Sequence, residues 1–147
     1  MKYFEDFRVG ERQTASTDYL VTEVEIVELA TRFDPQPFHV DPEAARASIF
    51  GGLVASSVHL FAISVSFSRH LGPPTAAVSA LGFDAVRVLA PARPGDRLSF
   101  RSETLSARPS KSRPDCGVIE TQSELVNQRG ETVMTYRGAF LVLRREA

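Results

Sequence analysis

Two rhythms divide the 147-residue chain. Between Thr22 and His70 apolar residues recur at helical spacing, and from Val78 onward they fall in alternating or β-branched runs. Thr22 with Glu25 three positions later has the form of a capping box. Val24, Val27, Ala30 and Thr31 then make one stripe, flanked by Ile26, Leu29 and Phe33, which predicts a helix over 23–33 that Pro35 stops. Asp41-Pro42-Glu43 has the form of a second helix start, with Asp41 as N-cap and Pro42 at the first helical position, and predicts a short helix over 42–48. From about Ala55 to Leu71 the chain is apolar on nearly every side, through Val58, Leu60, Phe61, Ile63, Val65 and Phe67. A helix hydrophobic all round is a buried one. Gly72-Pro73-Pro74 ends it, and His70 is placed to cap its C-terminus.

The second half reads as strands. The runs 78–89, 97–106, 117–128 and 131–144 are separated by the turn sequences at 91–96 and 127–130, and the last two runs should pair as a hairpin. A looser alternation over 13–21 predicts a first strand, and 107–116 a polar, basic loop. Those turns are too short for parallel crossovers, so the sheet should be antiparallel. Five long strands and one apolar helix imply an α+β fold in which a curved antiparallel sheet wraps a long central helix. No repeat and no linker interrupts the chain, so one domain over 1–147 is expected.

Charge and cysteine content narrow the function classes. A formal charge of −1 gives no general signal for nucleic acid or a membrane surface. The one cysteine, Cys116, cannot cross-link the chain to itself, and its neighbours supply no pattern of a reactive thiol. Met1-Lys2 runs straight into Tyr3-Phe4-Glu5, without the apolar core of a signal peptide, and no apolar run is long enough to span a bilayer. A cytoplasmic protein without nucleic-acid or membrane partners is expected.

The candidate chemistry gathers between the first helix and the buried one. Asp34 and His39 stand five positions apart in a segment with prolines at 35 and 37. A residue before proline is pushed toward extended conformations, so Asp34 and Gln36 should be extended and the loop stiff, which suits groups held for chemistry. Gly51-Gly52 then leads into the buried helix, whose first amides are free to face an acceptor. Taken alone, Asp34 is also a plausible C-capping residue and His39 a packed one. Asp41 reads as an N-cap rather than a base, and His59 as either pocket wall or satisfied core histidine. A metal site from Asp34, His39 and His59 matches no zinc spacing.

Two strings carry a resemblance. Asp34-Pro35-Gln36-Pro37-Phe38-His39-Val40-Asp41 and Phe50-Gly51-Gly52-Leu53-Val54-Ala55-Ser56-Ser57 are similar to motifs of the MaoC-like dehydratases, which include the (R)-specific enoyl-CoA hydratases and have the hot-dog fold. Val88-Leu89-Ala90-Pro91-Ala92-Arg93-Pro94-Gly95-Asp96 resembles the family's strand and Pro-Gly-Asp turn. The resemblance implies hydration or dehydration of 2-enoyl thioesters (acyl-CoA or acyl-carrier-protein) by Asp34 and His39 holding one water. It implies a carbonyl-polarising amide at Ser57, with Gly52, Ser56 and His59 near the substrate, no cofactor beyond the thioester itself, and a homodimer or larger assembly. Gln36 stands where the family has asparagine, and Ser57 where it has glycine. Val65, flanked by Ser64 and Ser66, aligns with a serine of some hydratases. Arg87, Arg108, Lys111 and Arg113 are the basic candidates for the CoA phosphates. A hot-dog thioester-binding protein, or a thioesterase, is the alternative class.

Overall fold

Asn127 turns the last hairpin: its backbone pairs with Glu131 and Gly130, and Gly130 takes the positive φ of 80° that a two-strand turn of this length needs. In the computed structural model, which describes residues 1–146, this hairpin joins β5 (Cys116–Val126) to β6 (Thr132–Leu143). Before them come β1 (Arg12–Thr14), β2 (Tyr19–Leu20), β3 (Ala77–Val88) and β4 (Arg97–Pro109). The sheet order is β1-β4-β5-β6-β3, with β2 also on β4, and every strand pairing is antiparallel. The expected first strand is two short pieces rather than one. Ala15 to Asp18 interrupts it, with Ala15 bonded to Phe100 and Ser16 to His70. β4 runs on to Pro109 and takes up the start of the expected basic loop.

The helices follow the stop and start signals closely. α1 spans Glu23–Phe33, α2 Pro37–Val40, α3 Pro42–Arg46 and α4 Ser57–Ser66. Thr22 caps α1 by accepting the Glu25 amide, but the Glu25 carboxylate does not return to Thr22, so the capping box is only half made. Of the two residues before prolines, Gln36 is extended as expected (φ −71°, ψ 144°), but Asp34 is not (φ −155°, ψ 70°), and Pro37 opens one helical turn as its first residue.

The central helix is short, which corrects the long one expected from the apolar run. α4 holds ten residues and passes into a 3-10 turn at Phe67–His70. Ten residues at ~1.5 Å each give about 15 Å of helix, whereas a strand of eleven to thirteen residues at ~3.4 Å spans roughly two and a half to three times that. Leu60, Ile63 and Phe67 fill the concave face against Phe100, Leu125, Met134 and Tyr136. Beside α4 a cavity of about 400 Å³ remains, bounded by Ser64, Phe83, Phe100, Tyr136 and Phe140, with Phe7 of the N-terminal segment also on its wall. β3 lies at the sheet edge and is exposed along its whole length. No helix among the described residues is long and apolar enough to cross a membrane.

Candidate active site

Three local rules bring Asp34 and His39 together. α1 ends at Asp34, whose amide closes the last turn on Ala30 at 2.8 Å. Pro35 forbids continuation, and the single turn of α2 swings His39 back toward the end of α1. The segment Leu53–Ser56 then runs alongside, its Val54 amide bonded to Phe38 and its Ala55 amide to Ala92. The result is His39 Nε2 at 3.4 Å from Asp34 Oδ2, with the imidazole 8% exposed and the carboxylate 28% exposed.

The proton on His39 is assigned by its partner. Nδ1 lies 2.6 Å from the Val54 carbonyl oxygen, which can only accept, so Nδ1 carries the hydrogen. Nε2 is the ring nitrogen left facing Asp34 Oδ2. Phe38 packs edge-on against the imidazole, with centroids 4.5 Å apart, and holds its plane.

Ser56 is the N-cap of α4, and its side chain does something the sequence does not announce. Its hydroxyl donates to Asp34 Oδ2 at 2.7 Å while accepting the Val58 amide at 3.2 Å. Ser57 begins α4 with an exposed side chain, and among the described residues its amide has no acceptor. Ser57 directly follows Ser56, whose hydroxyl reaches Asp34. Gly52 lies on the entering turn, where a Cβ would stand 3.7 Å from Arg93 Nη1. Arg93 has no carboxylate partner among the described residues, and position in sequence alone did not single it out.

His59 belongs elsewhere. It is 1% exposed, and its Nε2 is 2.8 Å from Glu25 Oε1, which also accepts the Tyr19 hydroxyl. Its Nδ1 is buried without a partner. Burial works against the Glu25 carboxylate, but the hydrogen bonds from Tyr19 and His59 outweigh it and hold its pKa below the ordinary value. Burial first, and then the Glu25 hydrogen bond and charge, push the Tyr19 hydroxyl up to about 12. His59 thus ties α4 to α1 instead of facing the pair. Among the described residues no three His, Cys, Asp or Glu side chains gather as a metal site.

The remaining candidates separate cleanly. Asp41 accepts the amides of Glu43 at 3.0 Å and Ala44 at 3.3 Å, as an N-cap should. Ser64 turns inward, donating to the Phe61 carbonyl at 2.7 Å and lying 3.1 Å from the Tyr136 hydroxyl, whereas Val65 is half-exposed. Arg87, Arg108 and Lys111 are exposed, and Arg113 is engaged by Asp115 at 2.7 Å. His70 uses its carbonyl to hold Ser16. The cavity beside α4 does not include Asp34 or His39; it reaches α4 at Ser64 and Val65, about two turns from Ser57.

The chain is similar in structure to a MaoC-like dehydratase of Rhodospirillum rubrum, with a TM-score of 0.91 and 40% identity, each chain covered in full. It also shares its fold with R-hydratase PhaJ1 of Pseudomonas aeruginosa at a TM-score of 0.75 and 20% identity, over 98% of this chain and 86% of that one. A UPF0336 protein of Streptomyces avermitilis is 30% identical over 137 residues, covering 86% of this chain and 87% of that protein. Residues 6–126 match the MaoC like domain, so the chain belongs to the MaoC-like dehydratase family.

Proposed function

We propose that the protein is a hydratase, or in reverse a dehydratase, of 2-enoyl thioesters, with Asp34 and His39 as its acid–base pair. The observation that carries this reading is the pair itself: His39 Nε2 stands 3.4 Å from the Asp34 carboxylate, with Nδ1 held by the Val54 carbonyl. One water bridging them gives a hydrogen to each. As its oxygen bonds to C3 of the enoyl group, one member of the pair takes its proton, and the C2–C3 π pair moves toward the thioester oxygen. The Ser57 amide is the donor for that developing enolate, a role worth about 2.7–4 kcal/mol where such donors have been removed from other enzymes. C2 then recovers a proton from the pair, and water has been added with atoms in balance.

In this reading the acyl part runs along α4 toward the cavity that opens at Ser64 and Val65. For the phosphate-bearing handle, Arg93 is a better candidate than Arg87, Arg108, Lys111 or Arg113, because it stands beside Gly52 at the entry to α4. No cofactor takes part in these steps. A second copy of the chain on the exposed edge strand β3 completes the proposed assembly.

Loss of the conjugated enoyl absorbance after adding the protein to crotonyl-CoA tests the reaction. Release of free thiol in place of hydration would move the assignment to a thioesterase. Neither signal, across a panel of acyl-CoA and acyl-carrier-protein thioesters, would favour a thioester-binding role.

A further inference from the structure

Ser56 is fully buried and hydrogen-bonded in two directions, and neither bond is to a position a substrate would fill. We propose that Ser56 is a positioning residue which couples the Asp34–His39 pair to the first turn of α4; this rests on the hydratase reading above.

A hydroxyl has one hydrogen and two lone pairs. The Asp34 carboxylate can only accept, so the hydrogen goes to Oδ2 at 2.7 Å. The Val58 amide can only donate, so it takes a lone pair at 3.2 Å. Both roles of the group are therefore fixed. Oδ2 is also the oxygen 3.4 Å from His39 Nε2, so Ser56 fixes the carboxylate oxygen that faces the imidazole. Without that bond Asp34 is a helix-terminal side chain, 28% exposed and free to rotate about its own Cβ.

The second bond acts on the other half of the site. By occupying the Val58 amide, Ser56 satisfies one of the free donors of the first turn and leaves the neighbouring Ser57 amide open. One side chain thus sets both the orientation of the acid–base group and the choice of free amide. The surroundings offer no substitute. The titratable group facing Asp34 is His39 on α2. On α4, His59 turns its Nε2 to Glu25, and Arg93 before β4 lies beside Gly52.

The test separates capping from positioning. Glycine is tolerated at an N-cap nearly as well as serine, whereas it cannot donate to Asp34. Ser56→Gly should therefore unfold close to the wild-type temperature, yet lose about 10–100-fold in kcat, the range for removing one hydrogen bond to a charged group. KM should change far less than kcat, because Ser56 touches Asp34 and the Val58 amide and not the substrate. Ser56→Thr keeps the hydroxyl and should restore the rate. Ser56→Ala, run beside them, carries the same comparison if the glycine variant does not fold. A folded Ser56→Gly or Ser56→Ala with wild-type kcat overturns the proposal.

If the wild-type protein hydrates no enoyl thioester, the functional reading fails and this one is still decided. The Asp34 side-chain couplings, measured by NMR in the wild type and in Ser56→Gly, should report one χ1 rotamer in the wild type and averaging in the variant. The same single rotamer in both would reject the role of Ser56 whatever the reaction is.

Discussion

Asp34 Oδ2 and His39 Nε2 face one another across 3.4 Å, and His39 Nδ1 is held by the Val54 carbonyl. Two groups holding one water act as a unit, so losing either should cost nearly as much as losing both. Asp34→Asn and His39→Ala should each lower kcat on crotonyl-CoA by roughly 10²–10⁴, the range for a positioned acid or base. The double variant should be little worse than the poorer single one. Folded single variants with near-wild-type hydration rates would remove the pair from the mechanism.

Asp41 provides the control. It lies in the same motif, but its carboxylate is spent on the Glu43 and Ala44 amides at the start of α3. Asparagine caps a helix about as well as aspartate. Asp41→Asn should therefore keep its hydration rate and its melting temperature, whereas Asp41→Ala should lose about 0.5–2 kcal/mol of stability with kcat intact. A crippled Asp41→Asn enzyme would mean that the wrong carboxylate had been assigned.

These two aspartates show what the sequence made legible. Each sits where a proline and a helix signal fix the backbone locally, so Asp34 could be placed at a helix end and Asp41 at a helix start from neighbours alone. The long strands were legible for the same reason, since alternation is local. Ser56 and Glu25 were not, because their partners lie 22 and 34 residues away. Glu25 has the spacing of a capping-box residue, yet burial of Tyr19 and His59 beside it offers two stronger partners than the Thr22 amide. The length of α4 was misread because apolar residues continue through Phe67, which stays buried in a 3-10 turn; hydrophobicity reports burial, not helical hydrogen bonding.

The Tyr19–Glu25–His59 network gives an alkaline signature. Tyr19 is held at about 12 in the fold against an ordinary value of 10.0, so its neutral form is favoured by folding. Its stabilising contribution is whole below about pH 10 and is lost as pH rises through about 12, because the unfolded chain releases its proton first. Tyr136 is also raised, by burial, and contributes in the same direction. Subtracting the profile of Tyr19→Phe from that of the wild type isolates Tyr19. Denaturant unfolding between about pH 9 and 12 should show the wild type losing stability faster than the variant. Glu25, with its pKa lowered, contributes above its ordinary carboxylate range and loses that contribution on acidification. Its side chain is 40% exposed, so solvent screens the effect and the alkaline limb is the sharper test. Parallel profiles would show that the three groups are not coupled in solution.

The edge strand makes the last prediction. β3 pairs with β6 on one side only, and its other edge carries unpaired amides and carbonyls. Val78, Leu81, Val86 and Val88 are each more than two-fifths exposed along it. An open, apolar edge of this length invites another strand, and a two-fold lets the same strand of a second copy serve, making one sheet continuous across the pair. Light scattering at micromolar concentration should give twice the 16.2 kDa chain mass. Leu81→Asp places a charge on that edge without touching the Phe83 ring, which packs on Phe61, Tyr136 and Phe140. The variant should keep its far-ultraviolet spectrum and shift toward the single-chain mass. If the wild type already runs as a single chain, the edge is not used for self-association. If Leu81→Asp stays dimeric at the same dilution, the two copies meet through some face other than β3.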